Sequence, residues 1–169
     1  MCFTKGSKKA ATHDRGQYRA RAPVSSTVLS PLKALVILGH PRGAASFCGA
    51  LAERYLEGAQ AVGCDVRMVD LAALDFDQNM SFATPRLQTM EPSLVAVRDD
   101  IEWAEHLVFV YPTWWGTYPA MLKGFLDRIL QPDWAFREIS GGTGLEGLLS
   151  GRTAELITTM DTPALVQSL

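Results

Sequence analysis

The sequence predicts an α/β domain, an open parallel sheet with helices on both faces. Ala34-Leu35-Val36-Ile37-Leu38-Gly39, set between Pro31 and the His40-Pro41 turn, is a short unbroken apolar run of the kind a strand buried on both faces requires. The following residues switch to a helical period, with apolar side chains recurring every three or four positions from Phe47. The two patterns then alternate along the chain, and strands separated by helices pair in parallel through right-handed crossovers.

Each element has its own signal. Ser46 suits a helix N-cap, and Phe47, Leu51, Tyr55, Ala59 and Val62 define the expected inner face of the first helix, which Gly63 ends. Cys64 to Val69 is the second strand, closed by Asp70-Leu71. Asp75 to Thr89 is polar and aperiodic, and is expected to wrap the surface without regular structure. Pro92 opens a second helix whose inner face is Leu94, Val97, Ile101 and Ala104. His106 to Tyr111 is the third strand. Pro119 opens a third helix, buried through Leu122, Phe125, Leu126 and Ile129. A loop rich in glycine (Gly141, Gly142, Gly144, Gly147) leads to the fourth strand, Thr153 to Thr159.

Length and composition fit one domain with its own core: 169 residues, 47% apolar, 20% charged, net charge -2. That charge balance argues against a nucleic-acid binder resting on phosphate contacts. Three cysteines, Cys2, Cys48 and Cys64, form neither a disulfide framework nor a zinc-ligand spacing, so a reducing, cytoplasmic setting is the simplest assumption. No apolar stretch approaches the roughly 20 residues of a membrane helix, and no membrane insertion is expected. The charge is uneven: residues 1–32 carry six Lys or Arg against one acid. That segment is aperiodic and rich in Ser, Ala, Gly and Thr, and reads as a disordered basic extension, with a targeting address as its alternative. The domain proper is 33–169.

In open parallel sheets ligands sit beyond the carboxyl ends of the strands, which singles out three loops. His40-Pro41-Arg42-Gly43-Ala44-Ala45-Ser46 runs straight into a helix, so its free amides and the positive end of the helix dipole favour an anion. His40, Arg42 and Ser46 can add charge or donors; the competing reading is a rigid turn, a solvated arginine and a simple cap. Pro112-Thr113-Trp114-Trp115-Gly116-Thr117-Tyr118 places three aromatic residues beside a strand end, where they meet something planar, another protein or the core. The third loop is Thr159-Met160-Asp161-Thr162-Pro163. A helix terminus contributes about 0.3–1 kcal/mol to an anion, whereas micromolar binding needs about 8. Each aromatic side chain buries on the order of 150–250 Å², or several kcal/mol at about 25 cal/mol per Å². A ligand with a flat ring and a phosphate, such as a flavin nucleotide, suits both loops.

Absent motifs narrow the field. No G-x-G-x-x-G or G-x-x-x-x-G-K-[ST] follows the first strand, no G-x-S-x-G elbow occurs, and the three histidines lack metal-ligand spacing, so no metal is expected.

The chain resembles the NAD(P)H:quinone oxidoreductases of the flavodoxin-like superfamily. The resemblance runs from Leu35 to about Pro163 and rests on Gly39-His40-Pro41 with Ser46-Phe47, Trp103-Ala104-Glu105-His106, Tyr111-Pro112-Thr113-Trp114-Trp115-Gly116, Pro119 to Phe125 with Asp127-Arg128, and Thr158 to Pro163. It implies strand order 2-1-3-4-5, a homodimer, and a non-covalent FAD or FMN that takes hydride from NAD(P)H and reduces a quinone or similar acceptor. It also implies that His40, Ser46, Phe47 and Cys48 hold the phosphate part, with Arg42 beside them. Pro112, Thr113, Trp114, Trp115 and Gly116 would line the ring, and Thr158, Thr159, Met160, Asp161 and Thr162 would flank its other side. Trp134 and Phe136 fall where the family covers the partner's site, and Tyr118 is the candidate catalytic residue for polarising substrate. Three departures stand out: the first loop is one residue longer than usual, Cys48 replaces a common Asn, and the chain stops at Leu169, where the family continues into a fifth strand and a last helix. The fourth strand is then expected at an exposed edge. An electron carrier, a regulatory subunit and an inactive fragment are the competing readings.

Overall fold

The computed structural model of the chain describes residues 30–139 and 143–161. Most of the expected basic extension, part of the glycine-rich loop, and Thr162 and Pro163 lie outside these residues. The elements run β1 (Lys33–Leu38), α1 (Phe47–Ala61), β2 (Asp65–Asp70), α2 (Pro92–Trp103), β3 (His106–Pro112), α3 (Ala120–Ile129), β4 (Phe136–Glu138), β5 (Leu145–Gly147) and β6 (Thr153–Thr159). Short 3-10 turns occupy Gly43–Ala45, Leu71–Ala73 and Pro85–Leu87.

Four parallel strands form the main sheet in the order β2-β1-β3-β6, matching the expected 2-1-3-4 with β6 as the fourth strand. Register alone sorts the side chains, because successive residues face opposite sides. Leu35 and Ile37 of β1 join Leu94, Val97 and Ile101 of α2 and Leu122, Phe125 and Ile129 of α3. Val36 and Leu38, with Val108 and Val110 of β3, meet Cys48 and Ala52 of α1. Helices thus cover both faces, as β1's uninterrupted apolar run requires.

Helix α1 keeps the middle of its expected face, with Leu51 and Tyr55 half-buried against the β1 and β3 core, but not its ends. Phe47 and Val62 are 71% and 79% exposed, and the buried residues are Cys48, Gly49 and Ala52. Small side chains decide this: a Cβ on Gly49 would stand 2.5 Å from the Ala44 carbonyl oxygen, so the helix settles on its smallest face. Ser46 caps it as expected, its Oγ accepting from the Gly49 amide at 2.9 Å. The predicted faces of α2 and α3 hold, with Leu126 half-buried.

The β4–β5 hairpin was not expected, since part of it falls in the stretch read as a glycine-rich loop. Three-residue strands carry too little alternation to register in sequence; what joins them is backbone pairing and the Arg137–Glu146 ion pair at 2.7 Å.

The segment 75–89 is irregular apart from its 3-10 turn, as expected, and is pinned from α3. Arg128, 1% exposed, donates to the Asp77 and Thr89 carbonyls at 2.7 and 2.8 Å and to both Glu91 carboxylate oxygens at 3.1 and 2.7 Å. Burial pushes the Glu91 carboxyl up, but the amide donors and the Arg128 guanidinium outweigh it and hold the carboxyl below its usual range. The Gln78 carbonyl packs onto Gly124, where a Cβ would approach it to 2.5 Å.

Strand β6 pairs only with β3 among the described residues, and Leu156 is 63% exposed, as expected of an edge. Among the described residues no helix is long and apolar enough to cross a membrane.

Candidate functional site

Parallel pairing brings the carboxyl ends of β1, β3 and β6 together, and with them the three loops singled out by sequence. Thr113, just beyond β3, donates its amide to the Thr159 carbonyl at 2.6 Å, and its hydroxyl meets that of Thr158. Cys48, 1% exposed at the head of α1, places its Sγ 3.4 Å from Thr159 Oγ1. Helix α1, β3 and β6 are therefore joined around one crevice.

The β1–α1 loop is tightly bonded within itself. The amides of Gly43, Ala45 and Ser46 go to the carbonyls of His40, Arg42 and Gly43 at 2.8, 3.2 and 3.1 Å. Ala44 donates to Asp70 Oδ2 at 3.1 Å. Ser46 Oγ gives its proton to the Gly43 carbonyl at 2.6 Å, so its capping role already occupies it. At the positive end of α1 the Phe47 and Cys48 amides have no partner among the described residues. Arg42 is exposed, and its guanidinium makes no ion pair among the described residues.

His40 joins this loop to the next. Its Nδ1 accepts the Arg42 amide at 3.0 Å, which places the proton of the neutral ring on Nε2. Burial and the nearby Arg42 charge lower its pKa from the ordinary value, with Asp70 opposing them. The ring meets Trp114 edge-on, centroids 5.9 Å apart.

Trp114 and Thr117 exchange backbone hydrogen bonds at 2.8 and 3.1 Å across a two-residue turn. Both central residues are left-handed, Trp115 at φ 52 and Gly116 at φ 75. Glycine tolerates that conformation freely, whereas a bulky L-residue there is strained. Trp115 is also fully exposed, at 102%. A large apolar side chain held out on a strained turn answers no folding requirement, and strain of this kind concentrates at functional sites.

Two neighbouring cavities of about 430 Å³ each flank the turn. One is bounded by Pro41, Leu74, Gln78, Trp114 and Met121. Tyr118 lies in the other, with Met80, Pro85, Lys123 and Leu126, and packs edge-on against Tyr111 at 6.2 Å. Trp114 and Tyr118 thus line different cavities. Pro112 is buried beneath the turn, while Met160 is half-buried and Asp161 exposed beside the crevice. Trp134 donates its indole N–H to Glu102 and lies under the Arg98 guanidinium at 4.4 Å, packed on α2, with Phe136 half-buried next to it.

Sequence reasoning missed Asp70, which holds the first loop from the end of β2, and Gln78, which faces the cavity beside Trp114. Gly43, whose φ is +51, supplied a usable signal for a tight loop but not for its acidic partner. No group of His, Cys, Asp and Glu among the described residues could hold a metal ion.

The family described as Flavodoxin-like fold matches residues 32–168. An uncharacterized NAD(P)H oxidoreductase of Haemophilus influenzae is 31% identical over 131 residues, covering 75% of this chain and 63% of that protein. An FMN-dependent NADH:quinone oxidoreductase of Ruegeria pomeroyi is 29% identical over 142 residues, covering 75% of this chain and 69% of that one. The crystal structure of Smu.1420 from Streptococcus mutans superposes with a TM-score of 0.67 at 34% identity, covering 81% of this chain and 72% of that one. The chain therefore spans less than two thirds of the Haemophilus protein's length.

Proposed function

The chain belongs to the flavodoxin-like fold family, and on that premise we propose that it is a flavin-dependent oxidoreductase carrying hydride from NAD(P)H to a quinone or similar acceptor. The observation that carries this reading is the meeting of two unlike walls at the His40–Trp114 contact: a loop ending in two free amides, and an exposed tryptophan on a strained turn. Relatives named as FMN-dependent and as quinone oxidoreductases support it.

The residues fit such a cofactor. The Phe47 and Cys48 amides suit phosphate oxygens, with His40 Nε2–H and Arg42 as further donors. Trp114, Trp115 and Gly116 suit the ring, and Thr158 and Thr159 with Met160 and Asp161 suit its far side. When bound, a flavin supplies the acceptance of hydride and the return of two electrons to the acceptor. What the chain contributes is alignment and exclusion of water: Trp114 and Trp115 cover apolar surface, and Thr113 ties the ends of β3 and β6 into one floor. Tyr118, reaching into the adjoining cavity, is assigned to polarising the acceptor.

A homodimer belongs to the same proposal. Leu130, 39% exposed, lines the Tyr118 cavity with Met80, Pro85 and Leu126, an apolar surface suited to a second copy closing the site. FMN or FAD, and NADH or NADPH, both fit the reading, and a cytoplasmic setting supplies the nicotinamide.

The test is reconstitution of the purified chain with FMN and with FAD, followed by anaerobic NADH or NADPH. Bleaching of the visible flavin band, and its return with a quinone, is the expected result. Tight binding without bleaching would assign an electron carrier or regulatory role instead. A folded chain that takes up neither flavin would refute the proposal.

A further inference from the structure

Asp70 is the last residue of β2, 26 positions from the loop amide it binds. One carboxylate oxygen accepts the Ala44 amide at 3.1 Å and the other the Ala72 amide at 3.0 Å. A Cβ on Gly43 would lie 2.2 Å from Asp70 Oδ2, so the carboxylate rests directly against the Gly43 backbone. On its other side Ala44 rests on α1, at the Gly49 contact. Ala44 is thus clamped between an acidic group and a helix.

Resting on the flavin reading above, we infer that Asp70 is a positioning residue for phosphate recognition. By holding Ala44, it aims that amide away from the crevice and leaves Phe47 and Cys48 as the backbone donors for the ligand. A loop lacking this acceptor has to find a new partner for the Ala44 amide, and its phosphate-binding geometry has to be organised at the moment of binding. The carboxylate also has an opposing effect. A negative charge near an anion site disfavours the anion, and the Arg42 guanidinium, whose charge acts with that of Asp70 on the His40 ring, offsets it. The two effects give opposite signs to the same substitution, which makes the substitution decisive.

The experiment titrates the full chain with FMN and with riboflavin, which shares the ring and lacks the phosphate, by quenching of flavin fluorescence. Wild type is expected to prefer FMN. Asp70→Ala is expected to weaken FMN binding by about tenfold or more, the scale of losing a charge-assisted hydrogen bond, and to leave riboflavin binding unchanged. Asp70→Asn, close in shape and keeping one acceptor oxygen, falls between them and serves if the alanine variant does not melt cooperatively. A merely structural role lowers both ligands together. That outcome, an unchanged FMN preference, or tighter FMN binding in Asp70→Asn would overturn the positioning role alone. Wild type that binds neither flavin overturns the flavin reading and this inference with it.

Discussion

The two walls of the crevice are built on opposite principles. The β1–α1 loop is bonded to itself, to Asp70 and to α1, with Gly43 and Gly49 admitting contacts a Cβ would forbid. The tryptophan turn is held by its own pair of backbone bonds and by the edge contact with His40, and carries its largest side chain uncovered. The wall suited to charge is finished before a ligand arrives, because polar groups lose most when their geometry is loose. The wall suited to a ring presents surface, because apolar burial is nondirectional and yields its free energy only on contact.

Substitutions can break this contrast. The largest effect is expected at Gly43→Ala, where a left-handed φ costs roughly 1–2 kcal/mol and displacement of Asp70 forfeits about 1.5–3 more in charge-assisted bonding. Denaturant unfolding should show a loss of about 3 kcal/mol, together with loss of flavin binding. Trp115→Ala should weaken flavin binding by about 1.5–3 kcal/mol, the scale of one buried large side chain, while leaving the melting temperature unchanged. Equal losses in both would place Trp115 among the core residues and erase the contrast between the walls. Trp115→Asn should do the reverse for the free protein, stabilising it by about 1 kcal/mol through relief of the left-handed strain, with binding reduced as in the alanine variant.

The smallest effect sharpens the comparison at its hinge. Because the folded-state pKa of His40 is lowered, the unfolded chain binds its proton first as pH falls. The stability due to neutral His40 is therefore fully present above about 6.5, the unperturbed value, and is lost as pH falls through the lower folded value. Melting as a function of pH should show this decline in wild type and its disappearance in His40→Asn, whose side-chain oxygen still accepts the Arg42 amide. An identical decline in both would separate His40 from the pH response.

Much of the fold was legible because it rests on local pattern. The apolar run of β1 could be satisfied only by cover on both faces, and the loops after β1, β3 and β6 followed from the architecture. The start of the α1 face was misplaced because hydrophobicity alone favours Phe47, whereas close approach to Ala44 favours Gly49 and Ala52. Asp70 read simply as the end of a strand, since the Ala44 amide is its partner only in three dimensions. The Asp77 and Thr89 carbonyls that Arg128 binds were equally out of reach of sequence. Trp115 stood out by composition, but its strain belongs to a dihedral angle that sequence does not carry.

Arg128 has a consequence for how the chain folds. Asp77 and Glu91, 14 positions apart, are bound to each other at 3.1 Å through the Asp77 amide, and the same guanidinium grips both. In topological terms the intervening strap is a closed ring, fastened as a disulfide would fasten it but without a covalent bond or an oxidant. Such a closure removes little freedom until both ends are in place and much once they are, so the strap is expected to order in a single step. Cutting one end, as in Arg128→Leu, should release the whole ring at once, and Gln78 with it from its cavity wall.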